Sequence, residues 1–188
     1  MVAWTGVSDK LRRAFVEHPL NRVSLERGEA HQRVALENLV QLYIHDFNDF
    51  LAPDRKLGVG EDGRFADVLK LDRYWDDAER AVWFIRVGGA LAGFALLDRA
   101  SHCRRSVDYN MGEYFIVRTF RRDGIGARAA IDLINRHAGQ WEIAVGPRNL
   151  PAQNFWPRVV AAVHASGVET LQGDGEVWSG PITRFVVR

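Results

Sequence analysis

The sequence has little cysteine, no long apolar run and no excess of charge, and each absence narrows what it can be. Cys103 is the one cysteine in 188 residues. A single thiol excludes a disulfide framework within the chain and a thiolate metal cage. It fits a reducing compartment, so a cytoplasmic location is expected. No stretch approaches the roughly 18 uninterrupted apolar residues of a membrane-spanning helix, so no membrane partner is expected. Met1 to Lys10 holds no continuous apolar segment, and Lys10, Arg12 and Arg13 are charged, so no secretory leader is expected. Lys and Arg number 25 against 24 Asp and Glu, a net charge of +1. That balance argues against a general nucleic-acid or membrane-surface binder. Internal repeats and low-complexity segments are missing as well. What is present is a chain of one-domain length whose hydrophobic share, 47%, suffices for a core.

Residues 1–20 read as an N-terminal extension with a short helix, capped by Ser8 and ended by Pro19. The main domain then runs over residues 21–188. Val23 to Glu26 alternates as a strand does. Val40, Tyr43, Ile44, Phe47 and Phe50 recur at helical spacing, predicting an amphipathic helix from Ala30 to about Phe50. Pro53 to Gly63 is a loop, and Phe65 to Trp75 a short helix or ordered loop. Val82–Val87 and Leu91–Leu97 form a hairpin around Gly88-Gly89, which supplies the positive φ angles of a primed turn. Val107 to Val117 reads as a strand. Ile125, Ala129, Ala130, Leu133, Ile134 and His137 share one face of a helix that opens at Gly124 and that Gly139 ends. Trp141–Val145 is a strand. Pro151 opens another helix, which Pro157 should kink or shorten. Val168 to Val187 reads as two strands around Gly173-Asp174-Gly175. This order predicts an α/β domain on a mixed sheet, with a right-handed parallel crossover through residues 114–145.

The junction from Val117 to Arg128 carries the most chemistry. A strand ends there and a helix begins. The first N–H groups of a helix lack internal partners, and its dipole is positive at that end. A phosphate satisfies both. Gly124 and Gly126 let the backbone approach an anion, and Arg121, Arg122 and Arg128 add cationic donors. A Gly-x-Gly also suits an ordinary helix start. A P-loop is excluded because no Gly-Lys-Ser/Thr follows, and a dinucleotide fingerprint because the third small residue and the early position are missing.

The segment Arg121-Arg122-Asp123-Gly124-Ile125-Gly126-Ala127, following Glu113-Tyr114-Phe115-Ile116-Val117, resembles motif A of the GNAT acetyltransferase superfamily, Gln/Arg-x-x-Gly-x-Gly/Ala. Asn149-Leu150-Pro151-Ala152-Gln153-Asn154-Phe155-Trp156 resembles motif B, and the Pro-Ala-Gln-x-Phe-Trp variant is similar to a bacterial branch of predicted acetyltransferases. The element order agrees from about Val23 onward. The resemblance implies a single α/β domain of the GNAT fold, a mixed, splayed central sheet flanked by helices. It implies acetyl-CoA as co-substrate and transfer of an acetyl group to a primary amine on a small molecule or peptide. A homodimer is common in the superfamily. The backbone of Phe115, Ile116 and Val117 would lie along the pantetheine arm. The amides of Arg122, Asp123, Gly124, Ile125, Gly126 and Ala127, with the side chains of Arg121 and Arg128, would hold the pyrophosphate. Asn149, Asn154 and Trp156 would flank pantetheine and thioester.

Acyl transfer to an amine requires loss of an amine proton, since a Lys-like amine has a pKa of about 10.4. It also requires stabilisation of the thioester oxygen and departure of a thiolate. Glu113, on the strand beside the pantetheine and on one face with Phe115, is the expected base, acting through water. Asp108 is its rival on the same strand. The Val117 N–H is the expected oxyanion donor by resemblance. Where many GNAT enzymes carry a Tyr as acid, this chain has Trp156, whose indole donates a hydrogen bond but supplies no proton. Trp156 then either positions the thioester or packs, and Tyr114 is another candidate acid. The usual Gly-Phe after the helix is also replaced, with Val159-Val160 nearby. These departures leave a second reading, a non-catalytic acyl-CoA-binding module of the same fold. A third is an unrelated α/β protein whose glycine loop only starts a helix. Tyr74 and Trp75, among Asp72, Asp76 and Asp77, form either an acidic aromatic lip for a cationic amine or a packed, solvated loop. His45, Asp46 and Asp49 have poor metal spacing and read as a solvated face. Cys103, beside His102, Arg104 and Arg105, has no Cys–His–Asp constellation around it, so no thiol nucleophile and no metal are expected.

Overall fold

A computed structural model describes residues 23–188. The helix expected before Pro19 lies outside the described residues. The strands are β1 (Val23–Arg27), β2 (Ala81–Val87), β3 (Ala90–Asp98), β4 (Tyr109–Ile116), β5 (Gly139–Ala144), β6 (Ala165–Gln172) and β7 (Pro181–Val187). The helices are α1 (Arg33–Phe47), the single turn α2 (Arg73–Asp76), α3 (Ile125–Asn135) and α4 (Leu150–Ala162). The strands form one open sheet in the order β1-β2-β3-β4-β5-β7-β6. Every pair is antiparallel except β4 with β5, which α3 joins by a crossover.

The two sheet faces bury different helices. On one, Leu36, Leu39, Val40 and Ile44 of α1 pack on Val82, Phe84, Phe94, Leu96 and Phe115. On the other, Ala130, Leu133 and Ile134 of α3 and Trp156, Val159 and Val160 of α4 pack on Ala95, Leu97, Met111, Trp141, Ile143 and Phe185. Val40 and Ile44 of α1 and Ile125, Ala129, Ala130, Leu133 and Ile134 of α3 are buried as their helical spacing predicts.

The hairpin turns at Gly88 and Gly89 with φ of 57° and 86°, as a primed turn demands. Several elements differ from the sequence expectation. The helix expected to run to Gly139 ends at Asn135. Gly139 instead opens β5 opposite Val187, where a Cβ would lie 2.8 Å from the Asp108 carboxylate. Pro157 neither shortens nor stops α4, which continues to Ala162. An interior proline costs about 3 kcal/mol, and burial of Trp156, Val159 and Val160 offsets it at about 1.5–3 kcal/mol for each large side chain. Residues 65–75, expected as a short helix or ordered loop, are a loop that ends in the helical turn Arg73–Asp76. The turn expected around Asp174 is a loop over residues 173–180, closed by Gly173 N–H on Gly180 O at 2.9 Å.

Candidate active site

β5 pairs with β4 only at Tyr109 and Asn110. Beyond that point β4 continues to Ile116 while β5 keeps to β7, so the sheet splays. A cavity of about 500 Å³ fills the wedge, lined by Met111, Glu113 and Tyr114 on one side and Ile143, Ala144 and Gly146 on the other. A groove of about 600 Å³ carries on past Tyr114 and Ile116 to Arg122, Gly124 and Gly126. The two share Tyr43, Phe47, Tyr114, Asn149 and Ala152 as walls. A larger hollow of about 720 Å³ lies between α1 and residues 58–72, and none of its lining residues belongs to β4 or the glycine loop.

The direction of the β4 backbone follows from one bond. Val117 N–H donates to Ala92 O at 2.8 Å. Val117 therefore faces β3, and its amide is already used, which corrects its expected role as oxyanion donor. Antiparallel pairs alternate between bonded and unbonded, so Phe115, opposite Phe94, faces β3 as well. Tyr114 and Ile116 turn their backbone groups the other way, into the splay. The Ile116 carbonyl accepts from Arg121 Nε at 2.6 Å. Beside the wedge, then, lie the backbone groups of Tyr114 and Ile116 rather than those of Phe115 and Val117.

At the far end of the groove α3 begins without a side-chain cap. Gly124 sits at φ 75°, in the left-handed region, and the first helical bond is Arg128 N–H to Gly124 O at 3.0 Å. The amides of Ile125, Gly126 and Ala127 thus lack intrahelical partners. Arg122, also at φ 75°, lines the groove, and so does Arg158 from α4, which was not foreseen. Asp123 and Arg128 are exposed nearby, while the Ile125 side chain is buried below. Arg121 does a different task from the one expected. Besides Ile116 O, it donates to Asp46 at 2.5 Å, and its guanidinium lies 5.2 Å over the Phe115 ring. Arg118 donates to Asp46 at 2.8 Å. Burial works to raise the Asp46 pKa, but these two arginines outweigh it and hold the carboxyl below its usual range. Asp46 and Arg121 together tie α1 to the end of β4.

Across the groove, Asn149 caps α4 by accepting from Ala152 N–H at 3.1 Å. Asn154 is exposed and does not line the groove, contrary to expectation. Trp156 is buried, edge-on to Tyr114 at 5.2 Å and to Phe155 at 4.9 Å, with one side reaching the wedge. Tyr114 does not offer a free acid. Its hydroxyl donates to Gly126 O at 2.6 Å, and burial drives its pKa far up.

Glu113 owes its place to a bulge. Leu96 faces Glu113 and Leu97 faces Met111, so Gly112 is an extra residue. The shift lets Met111 pack under α3 and α4 while Glu113 turns to the α1 face, where Tyr43 donates its hydroxyl to the carboxylate. Burial raises the Glu113 pKa to about 7, against the lowering effect of the Tyr43 hydrogen bond. Tyr43 carried a signal: a Tyr on the apolar stripe of a helix needs a partner for its hydroxyl. Asp108, the rival, accepts from Gln140 N–H at 2.8 Å where β4 and β5 still pair, outside the wedge.

The acidic lip is not formed. Asp72 pairs with Arg33, and Asp77 with Arg80 at 3.2 Å. Tyr74 donates to Asp98 at 3.0 Å, and Asp98 also receives Arg80 and Asn110. Tyr74 borders a small cavity with Glu113 and His102. Trp75 packs into the core beneath α1, its indole N–H buried without a partner. Among the described residues no group of His, Cys, Asp and Glu could hold a metal, and no helix is long and apolar enough to cross a membrane.

Solved structures of the same architecture include an acetyltransferase from Thermus thermophilus, with a TM-score of 0.60 and 14% identity over 90% of this chain and 98% of that one. The ribosomal L7/L12 α-N-protein acetyltransferase RimL, in complex with coenzyme A, gives 0.57 and 13% over 90% and 97%. The PaiA N-acetyltransferase of Thermoplasma acidophilum, also in complex with coenzyme A, gives 0.56 and 9% over 87% and 98%. No curated protein matches the chain by sequence. The family description "Acetyltransferase (GNAT) family" matches residues 37–160, more than half of the sequence, including β4, the glycine turn and Asn149. With the open mixed sheet, the wedge at β4 and the uncapped glycine turn, that match shows that the chain belongs to the GNAT acetyltransferase family.

Proposed function

We propose that the protein is an acetyl-CoA-dependent N-acetyltransferase that moves an acetyl group to a primary amine by direct attack. One observation carries this reading: a half-buried carboxylate of pKa about 7 and an uncapped helix N-terminus open onto the same splay. The residues suit coenzyme A. The amides of Ile125, Gly126 and Ala127 hold the pyrophosphate, with Arg122 and Arg158 as cationic donors. A Cβ at Gly124 would meet nothing within 4 Å, so that backbone is open to an anion. The backbone groups of Tyr114, turned into the splay, hold the pantetheine arm as an added strand would. When bound, acetyl-CoA supplies the acetyl group as an activated thioester.

Glu113 takes a proton from the amine, directly or through one water. Its pKa near the working pH is what a general base needs, since it is then partly ionised and still basic. Tyr43 fixes the carboxylate. Ile116 N–H, directed into the wedge, is the donor for the developing oxyanion. Tyr114 and Trp156 shape the wall and exclude water without giving a proton.

The test is release of free thiol from acetyl-CoA with a panel of small amines, amino acids and peptides. Turnover with one class of amine is expected, reduced about 10²–10⁴-fold in Glu113→Gln. Equal rates in Glu113→Gln and wild type across pH would remove the base assignment. Binding of CoA without turnover on any amine would favour a non-catalytic acyl-CoA-binding module, the reading that Trp156 and the engaged Tyr114 hydroxyl support.

A further inference from the structure

We infer that His102 is a second proton acceptor for the amine, held in the required tautomer by the buried carboxylate of Glu142. The inference rests on acetyl transfer being the activity. His102 stands in the connection between β3 and β4 and borders both the wedge and the small cavity of Tyr74, Asp98 and Glu113. Its side chain is 23% exposed, whereas Glu142, on β5, is fully buried.

Glu142 is surrounded by donors. It accepts from His102 N–H at 2.5 Å, Ser101 Oγ at 3.0 Å, Cys103 Sγ at 3.2 Å and Arg184 at 2.5 Å, and His102 Nδ1 lies 3.2 Å away. Burial acts to raise its pKa, but the bonds from His102, Cys103 and Ser101 bring it down to about 2. Glu142 is therefore ionised and can only accept. The proton of a neutral imidazole then sits on Nδ1, and Nε2 keeps its lone pair. Trp178 stands edge-on against the ring at 4.7 Å and fixes its plane. Nδ1 is the nitrogen beside Glu142, which leaves Nε2 as the basic one, and His102 shares both cavities with Glu113.

The stoichiometry of the reaction gives this second base something to do. An ammonium ion that becomes an amide loses two protons. His102 Nε2 takes the first, and the freed amine nitrogen forms its bond to the acetyl carbon. As the C–S bond breaks, its electron pair leaves with the sulfur as thiolate, and ionised Glu113 takes the second proton. A fold-holding Glu142–Arg184 pair alone would not require an imidazole that borders the wedge.

The experiment compares wild type, His102→Gln and His102→Ala as full chains, with the amine that wild type turns over fastest. Both variants should bind CoA with unchanged affinity by calorimetry and lose about 10²-fold in kcat/KM. Added imidazole should restore about tenfold or more to His102→Ala and nothing to wild type. Independently of turnover, nitrogen-15 NMR of the ligand-free protein should show the Nδ1–H tautomer for the resonance that disappears in His102→Gln. The Nε2–H tautomer, wild-type rates in the variants, or a loss that imidazole does not rescue would each overturn the inference. Failure of wild type itself to acetylate any amine overturns the acetyl-transfer reading and this inference with it.

Discussion

For the proposed acetyl transfer, removing the Tyr43 hydroxyl should move the pH at which turnover sets in. Tyr43 donates to the Glu113 carboxylate and so favours its charged form against burial. In Tyr43→Phe the ring contacts with Phe47, Phe94 and Phe115, at 5.4, 5.9 and 5.8 Å, can persist, so the change is close to loss of one hydrogen bond. A hydrogen bond to a charged group contributes about 1.5–3 kcal/mol, and one pKa unit is about 1.4 kcal/mol. The Glu113 pKa, about 7 in the native protein, should rise by about one to two units. At pH 7 the ionised fraction then falls from about a half to between about a tenth and a hundredth, a loss of about 5- to 50-fold in kcat/KM. At pH 9 the difference shrinks to about twofold or less. The assay is the rate of thiol release over pH 5.5–9.5 (a range of about four units around the midpoint) at subsaturating amine. A variant whose midpoint stays with wild type, or whose loss is the same at every pH, would refute the role given to this hydrogen bond.

Three further outcomes follow from the same contacts. Glu113 has a folded pKa raised from 4.5 to about 7, so wild type loses stability relative to Glu113→Gln as pH rises from 4.5 through 7. The difference reaches about 3 kcal/mol, and Glu113→Gln should melt several degrees higher at pH 8 but together with wild type near pH 4; a constant gap across pH would refute it. Arg184→Met leaves Glu142 buried without its cation and should cost about 3–5 kcal/mol in urea unfolding, an effect missing if the pair is not intact in solution. Gly126→Asp places a side chain whose Cβ would sit 3.2 Å from Ile116 and adds an anion beside the unpaired amides. CoA affinity by calorimetry should fall about a hundredfold or more, and unchanged affinity would remove the pyrophosphate from that helix end.

The sequence made legible those features that depend on local physics. The stripe of α1, the Gly88-Gly89 hairpin and the glycine turn before α3 are each written in fewer than twenty residues, and the structure places them where periodicity and turn chemistry do. The Gly139 expectation failed because a tertiary contact outweighed a local rule, and Pro157 does not stop its helix. Gly139 is needed against Asp108, and the buried face of α4 carries the helix past its proline. The direction of a backbone amide is harder still to read, because it depends on the partner strand. Ala92 accepts the Val117 N–H, and one residue of register decides which of Val117 and Ile116 turns its amide into the splay.

The side chains that give Glu113 its chemistry come from farther away in the chain. Tyr43 is 70 residues earlier, and Glu142, behind His102, is 40 residues after that histidine. None of these three forms a spacing motif, since each pairing exists only after the sheet has formed. A different local signal was available: a Tyr, a Glu and an Arg embedded in otherwise apolar stripes, at Tyr43, Glu142 and Arg184. Buried polar groups are costly unless paired, so such residues identify where a fold has stored an interaction even before their partners are known. By that signal, Glu142 and Arg184 mark the side of the splay opposite Tyr43 and Glu113. An amine entering the wedge would then meet a carboxylate held by a phenol on one wall and an imidazole held by a carboxylate on the other.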